Sequence, residues 1–261
     1  MMRALWTCAN GMQAQQMNLD VIANNLANVN TTGYKMSKLQ FQDLLYQTTR
    51  AAGSDQGAGN QLPASLQIGQ GSIPVSTERI FTQGTLTQTG GNLDVAIQGN
   101  GFFEVQMPDG TLAYTRDGSF KTNSQGIIVT SDGYPVQGGF QPVPAGATNI
   151  TISASGQVNY TTASGSPTTS QIQLARFNNP GGLDAVGHNL YKETTASGTA
   201  ELGDPAQNGF GELQQGYLEG SNVSVVQEMV NLILAQRAYE VNSKAVQAAD
   251  EMMQESNNLQ K

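Results

Sequence analysis

Cysteine and histidine are almost missing from this chain. Cys8 is the one cysteine among 261 residues, so no disulfide forms within the chain. A lone thiol is ordinary for a cytosolic protein, and equally for an exported one that avoids cysteine. His188 is the single histidine, which excludes any site built from two imidazoles. One histidine, one cysteine and scattered carboxylates do not make a zinc site. Charge is also scarce, at 12% of residues against about a quarter in an average domain. No run of Lys or Arg occurs, and the net charge is −8. Ten acidic and four basic residues lie between Asp94 and Glu212, so the flanks together carry only −2. Phosphate backbones are held by clustered cations, so nucleic acid is excluded as a partner. No apolar run approaches the ~18 residues of a spanning helix, so no membrane insertion is expected. Ala4-Leu5-Trp6 is too short for the apolar core of a cleaved signal peptide. If the protein leaves the cytosol, the route must keep its N-terminus.

Gly, Gln, Asn, Ser and Thr take the place of charge, with glycine alone at 30 residues. That composition suits short strands joined by turns, and surfaces that meet other protein. Four zones follow: an N-terminal helix and turn over 1–45, a polar extended arm over 46–72, a β-rich domain over 73–218, and a C-terminal helix over 219–261. The fold class is α+β, with long terminal helices forming a coiled-coil domain and an antiparallel β-rich middle.

The N-terminal helix rests on period. Leu5, Met12, Leu19 and Leu26 are seven apart, and Cys8, Gln15, Ile22 and Val29 follow each by three. Only Gln15 is polar in this coiled-coil-like seam. The helix would be about 40 Å long at ~1.5 Å per residue. Asn28, Asn30 and Gly33 supply stop signals, and β-branched Thr31 and Thr32 do not favour its continuation. The C-terminal helix opens with Ser224-Val225-Val226-Gln227, which fits a Ser-x-x-Gln capping box. Val225, Leu232, Tyr239, Val246 and Met253 form one heptad row, and Ala238, Ala245, Met252 and Leu259 a neighbouring one. Ala235 and Ala249 belong to a further seam that Glu228 and Asn242 break. Amphipathic helices usually cover the core of their own domain. Here each sits at a chain end with strands between, and two helices side by side bury one stripe each. Copies of the same chain are the simplest further cover. The expected assembly contacts are Leu5, Met12, Leu19, Ile22, Leu26, Val225, Leu232, Tyr239, Val246 and Met253, all packing residues.

The middle carries strand signals. Residues 102–107 lead through Pro108-Asp109-Gly110 into Leu112-Ala113-Tyr114-Thr115, a hairpin with Asp-Gly at its turn. Asp117-Gly118 and Asp132-Gly133 mark further turns, after Tyr114 and after Ile127-Ile128-Val129. Residues 150–152, 157–160 and 172–177 complete an antiparallel domain, and short strands at regular spacing suggest a small barrel or sandwich. The arm carries Gly53, Gly57, Gly59, Gly69 and Gly71 with few bulky apolar side chains before Leu62. Alone it would be flexible; it could also order against a neighbour.

Residue patterns that could carry chemistry are few. Gly90-Gly91-Asn92-Leu93-Asp94 faintly resembles a calcium-binding repeat but occurs once. Gly69 and Gly71 precede a strand-like segment rather than a helix, which fails as a phosphate cradle. His188 lies in the turn Gly187-His188-Asn189 and no G-x-S-x-G elbow exists. Asp94, Asp109, Asp117 and Asp132 read as turn residues. Carboxylates paired in space are not visible in sequence. No catalytic, cofactor-binding or metal residue is expected, and the chain is not read as an enzyme.

Residues 23–35, Ala-Asn-Asn-Leu-Ala-Asn-Val-Asn-Thr-Thr-Gly-Tyr-Lys, resemble the N-terminal signature of the bacterial flagellar rod and hook family. Residues 215–246, from Gln-Gly-Tyr-Leu-Glu-Gly-Ser-Asn-Val to Gln-Arg-Ala-Tyr-Glu-Val-Asn-Ser-Lys-Ala-Val, resemble its C-terminal signature. Residues 94–103 and 114–120 are also similar to it. Leu62-Pro63, then Leu66-Gln67-Ile68-Gly69 and Pro74 to Arg79, resemble the distal rod branch. The resemblance implies a helical homopolymer around an export channel, acting as a drive shaft. The helices would lie inside and the β domain outside, with the segment around 47–72 bridging and stiffening neighbours. It implies a place in the periplasm-spanning rod of the flagellar basal body, and export unfolded through the flagellar type III apparatus without a cleaved signal peptide. Implied partners are copies of itself, other axial proteins (proximal rod, hook), ring proteins and the export apparatus. The alternatives are another axial protein of this family, proximal rod or hook, or a β-rich binding module or adhesin with helical ends; a glycan hydrolase is more distant.

Overall fold

The structure, a computed structural model, describes residues 2–53, 63–143, 147–161 and 167–258. Gly57, Gly59, Leu62 and Leu259, used in the sequence reading, lie outside the described residues. The chain separates into two compact units. One takes the terminal helices and residues Ser37–Glu78; the other takes Ala27–Met36 and Arg79–Val223.

In the first unit, α1 (Met2–Ala27) and α2 (Val225–Asn258) pack together. They run antiparallel, for Gly11 meets Asn242 and Asn25 meets Glu228. The buried residues of α1 are Ala14, Ile22 and Asn25, and those of α2 are Glu228, Ala235 and Ala249. Small side chains on both faces let the two backbones approach closely. The seam that Glu228 and Asn242 were expected to break is therefore the one that packs. Its polar members are accommodated, Glu228 by the Asn25 amide and Asn242 by the space over Gly11. Helix α2 starts where the cap signal put it, with the Ser224 carbonyl accepting from the Glu228 N–H at 2.9 Å. The Gln227 amide turns forward to Asn231 instead of back to the cap.

Between the helices in sequence run β1 (Ser37–Asp43), β2 (Gln47–Arg50), β3 (Leu66–Ile68) and β4 (Ser72–Arg79). Strand β1 pairs with β4, and β2 with β3, antiparallel. The two limbs of the polar arm thus return along each other as a two-stranded ribbon. Every residue of β2 and β3 is exposed. The Asn10 side chain on α1 donates to the Gln70 carbonyl at 3.4 Å, next to the base of this ribbon.

The second unit is all β. Its strands are β5 (Leu86–Gln88), β6 (Val95–Gln98), β7 (Phe103–Gln106), β8 (Leu112–Thr115), β9 (Lys121–Thr122), β10 (Ile128–Val129), β11 (Thr148–Ile152), β12 (Gln157–Thr161), β13 (Pro167–Gln171), β14 (Leu174–Arg176), β15 (Asp184–Gly187), β16 (Leu190–Lys192), β17 (Glu201–Gly203), β18 (Glu212–Gln215) and β19 (Tyr217–Glu219). They form small antiparallel sheets, the largest in the order β15-β16-β8-β7, rather than one barrel or sandwich. Strands of two to five residues cut by Gly and Asp turns are too short to propagate one ladder. The Asp109-Gly110 hairpin is present, with Phe103 opposite Thr115 and Gln106 opposite Leu112. The Asp109 carboxylate accepts from the Thr111 N–H at 2.9 Å, as a turn residue should. Alternation sends Phe103 into a core with Val95, Ile97, Phe120, Ile172 and Leu174. Its neighbour Phe102 faces the other way, into an aromatic cluster with Tyr114, Phe177 and Tyr191.

Candidate assembly surfaces and the buried anchors behind them

Three of the sequence segments that carried the resemblance meet at one buried ion cluster in the β unit. Lys35 ends the first signature, Arg116 follows β8, and Glu219 ends β19. Lys35 Nζ pairs with Glu219 Oε1 at 2.5 Å, and Arg116 Nη1 lies 3.4 Å from Oε2. All three side chains are buried. Backbone completes the shell: Lys35 donates to the Thr82 carbonyl at 2.8 Å, Arg116 Nη2 to the Gly99 carbonyl at 2.7 Å, and the Gly84 N–H to Glu219 Oε1 at 2.9 Å. Burial pulls the proton affinity of Lys35 down, and the Glu219 charge partly restores it. Burial does the same to Arg116, again opposed by Glu219. The Arg116 guanidinium also lies 5.3 Å from the Phe102 ring centre.

Gly33, in the same signature, has φ +67°, and an added Cβ would stand 2.6 Å from the Asp117 nitrogen. Both the left-handed backbone and the close approach call for glycine. Asn222, from the C-terminal signature, accepts from the Met36 N–H at 2.8 Å and donates to the Ile80 carbonyl at 2.8 Å. It clips the segment after α1 to the segment after β4.

In the helical unit the comparable anchor is Asn25. Its amide donates to the Ser37 carbonyl at 2.8 Å and accepts from the Ser37 N–H at 2.9 Å. It also donates to Glu228 Oε2 at 3.1 Å. The end of α1, the start of β1 and the first turn of α2 are joined by one side chain.

Of the expected contact residues, Ile22 is buried. Leu5, Met12, Leu19, Leu26, Leu232, Val246 and Met253 are half-buried, and Val225 and Tyr239 are exposed. The most solvent-facing apolar side chains lie elsewhere on α2. Val226 is 74% exposed, Leu234 62% and Val241 64%, with Met229, Val230 and Ile233 between them. The single-row heptad reading missed these, although α2 is apolar on more than one face, which was readable. The ribbon adds exposed Leu45, Tyr46, Leu66, Ile68 and Val75.

His188 and Asn189 both have positive φ and form the two-residue turn of the β15–β16 hairpin, with the His188 ring exposed and 3.3 Å from Asp132. Among the described residues no group of His, Cys, Asp and Glu is arranged to hold a metal ion. Among the described residues no helix is long and apolar enough to cross a membrane.

Packed terminal helices and a set of small antiparallel sheets, each held by buried polar anchors, are the architecture of a structural subunit. Residues 5–35 match the family described as "Flagella basal body rod protein". Residues 96–160 match "Flagellar hook protein FlgE/F/G D1 domain", and residues 214–259 match "Flagellar basal body rod FlgEFG protein C-terminal". The flagellar basal-body rod protein FlgG of Caulobacter vibrioides is 52% identical over 262 residues, covering 99% of both chains. That of Borreliella burgdorferi is 50% identical over 264 residues, and that of Bacillus subtilis 41% over 266, each covering both chains in full. The Caulobacter rod protein FlgF is 35% identical over 252 residues. The chain belongs to the flagellar basal-body rod family, in its distal rod branch, as a structural component of the motility apparatus.

Proposed function

We propose that copies of this chain polymerise into a rigid helical tube, the distal rod, which carries torque through the periplasm and outer rings and encloses the export channel. The exposed apolar stripe of α2, from Val226 through Ile233 and Leu234 to Val241, is the observation that carries this reading. A stripe of that length at one chain end calls for protein cover. One face of a copy meeting a different face of the next gives an open helix rather than a closed ring. In this reading residues 1–45 and 219–261 line the inside and 73–218 face outward. The arm over 46–72 bridges neighbours. Leu5, Met12, Leu19, Ile22, Leu26, Val225, Leu232, Tyr239, Val246 and Met253 then contribute at the edges of the helix–helix contacts. Proximal rod and hook proteins continue the tube at its ends, and ring proteins surround it. The chain reaches its place unfolded, through the flagellar export apparatus, without a cleaved signal peptide.

Electron microscopy of the purified chain across a concentration series tests this. Tubes above a critical concentration are expected. A chain that stays monomeric at every concentration, with or without fragments of tube added as seeds, defeats the reading.

A further inference from the structure

The β unit carries a groove of about 490 Å³ lined by Glu104, Leu112, Tyr114, Lys192, Glu193 and Leu202. Glu104, on β7, is 8% exposed, and among the described residues its side chain accepts no hydrogen bond and joins no ion pair. Burial raises its proton affinity. Lys192 on the rim acts on Asp109 instead. The Tyr114 phenol beside it is pushed up to about 12, first by burial and then by the charges of Glu193 and Glu104. With Glu104 and Glu193 against Lys192, the groove lining carries one net negative charge. Two leucines of its lining, Leu112 and Leu202, are 42% and 52% exposed.

A half-dry carboxylate in one lining with two leucines suits a cation that arrives on an aliphatic stem beside another apolar group. The chain presents that combination itself. Arg50 on β2 stands opposite Leu66 on β3, and both are exposed. Arg176 and Arg237, by contrast, are paired with Glu201 and Glu240. Among the described residues, strands β2 and β3 pair only with each other. An isolated two-stranded ribbon is marginal in water and gains most from cover by another surface. A guanidinium fork also matches a carboxylate with two parallel hydrogen bonds, which a lysine does not.

We propose that the Glu104 groove of one copy receives the Arg50–Leu66 edge of the ribbon of a second copy, the guanidinium pairing with the carboxylate and Leu66 covering Leu112 and Leu202. This rests on the polymer reading above and names the surface that its bridging arm meets.

The test compares Glu104→Gln, Arg50→Gln and the double variant with the unaltered chain, by thermal melting of the monomer and by the critical concentration of polymerisation. Glu104→Gln removes a carboxylate that burial disfavours and no ion pair holds, so its monomer should melt no lower than the unaltered chain. Each single variant should nevertheless raise the critical concentration by about tenfold or more, the usual scale for breaking a close interfacial charge pair. The double variant should be no worse than the worse single one, because the partners act together. Arg50→Lys should fall between the unaltered chain and Arg50→Gln. Polymerisation of both single variants at the unaltered concentration overturns the groove assignment and leaves the polymer reading intact. Losses that multiply in the double variant overturn it as well. An unaltered chain that never polymerises defeats both readings together.

Discussion

A side-chain amide that both donates to and accepts from one peptide unit holds that peptide as a neighbouring strand would. Asn25 does this to Ser37 and has a proton left for Glu228. Removing it strands a peptide N–H and a peptide carbonyl, both part-buried, and a buried carboxylate oxygen. Leaving such groups unsatisfied costs about 1–3 kcal/mol apiece before relaxation and water entry. Asn25→Ala should therefore lower stability by about 2–4 kcal/mol, read as a lower urea midpoint at unchanged slope. Asn25→Asp should be worse, since it sets a second carboxylate against Glu228. The Lys35–Glu219–Arg116 cluster obeys a different rule. Its charges were costly to bury, so the cluster as a whole adds little, but each member depends on the others. Glu219→Gln leaves two buried cations without their anion and should cost about 3–5 kcal/mol. Replacing all three with apolar residues of similar volume (Lys35→Met, Arg116→Met, Glu219→Leu) should cost far less. Thermal melting of the two variants side by side checks the ordering. A triple variant that melts below Glu219→Gln would mean that the charges stabilise this fold outright.

On the scale of helices and strands, what could be read in advance depended on whether a pattern had one explanation. The α1 period, the Ser224 start of α2 and the Asp109-Gly110 hairpin were legible because each combines a local rule with the right neighbours. The packed seam of α2 was misjudged because Glu228 and Asn242 look disruptive until their partners, Asn25 and Gly11, are known, and those partners lie over 200 residues away. The β2–β3 ribbon was read only as a polar arm. Gln47, Thr48, Thr49 and Arg50 carry no apolar alternation, since neither face of the ribbon is buried. The Lys35–Arg116–Glu219 cluster was invisible for the same reason of distance, although each member sat in a segment already singled out. The consequence for α2 is testable. Leu234 is 62% exposed, so Leu234→Lys should change monomer stability by less than about 0.5 kcal/mol, as surface substitutions do. If the stripe is an assembly surface, the same change should abolish tubes at concentrations where the unaltered chain forms them. Light scattering with electron microscopy gives the answer, and tubes of normal yield would remove α2's outer face from the assembly.

The two units of the molecule are supported very differently. The β unit has continuous apolar clusters running through Val95, Ile97, Phe103, Ile172 and Leu174. The helical unit has a helix of 34 residues in which, among the described residues, Glu228, Ala235 and Ala249 are the buried ones. Helices owe most of their stability in water to the packing of a face, and two alanines and a glutamate supply little of it. Opening free energy follows buried contact, so the ends of this chain should open locally while its middle stays closed. The expectation for a monomer is fast amide exchange in α1 and α2 and slow exchange in β6 and β7. Assembly should then close the helices, because copies cover what one chain leaves bare. Far-ultraviolet circular dichroism should show helix gained on passing from monomer to tube, with exchange in α2 slowing by more than exchange in β6. Equal protection of both units in the monomer, or a spectrum unchanged by polymerisation, would mean that the helical pair is complete on its own, and the exposed stripe would then need another explanation.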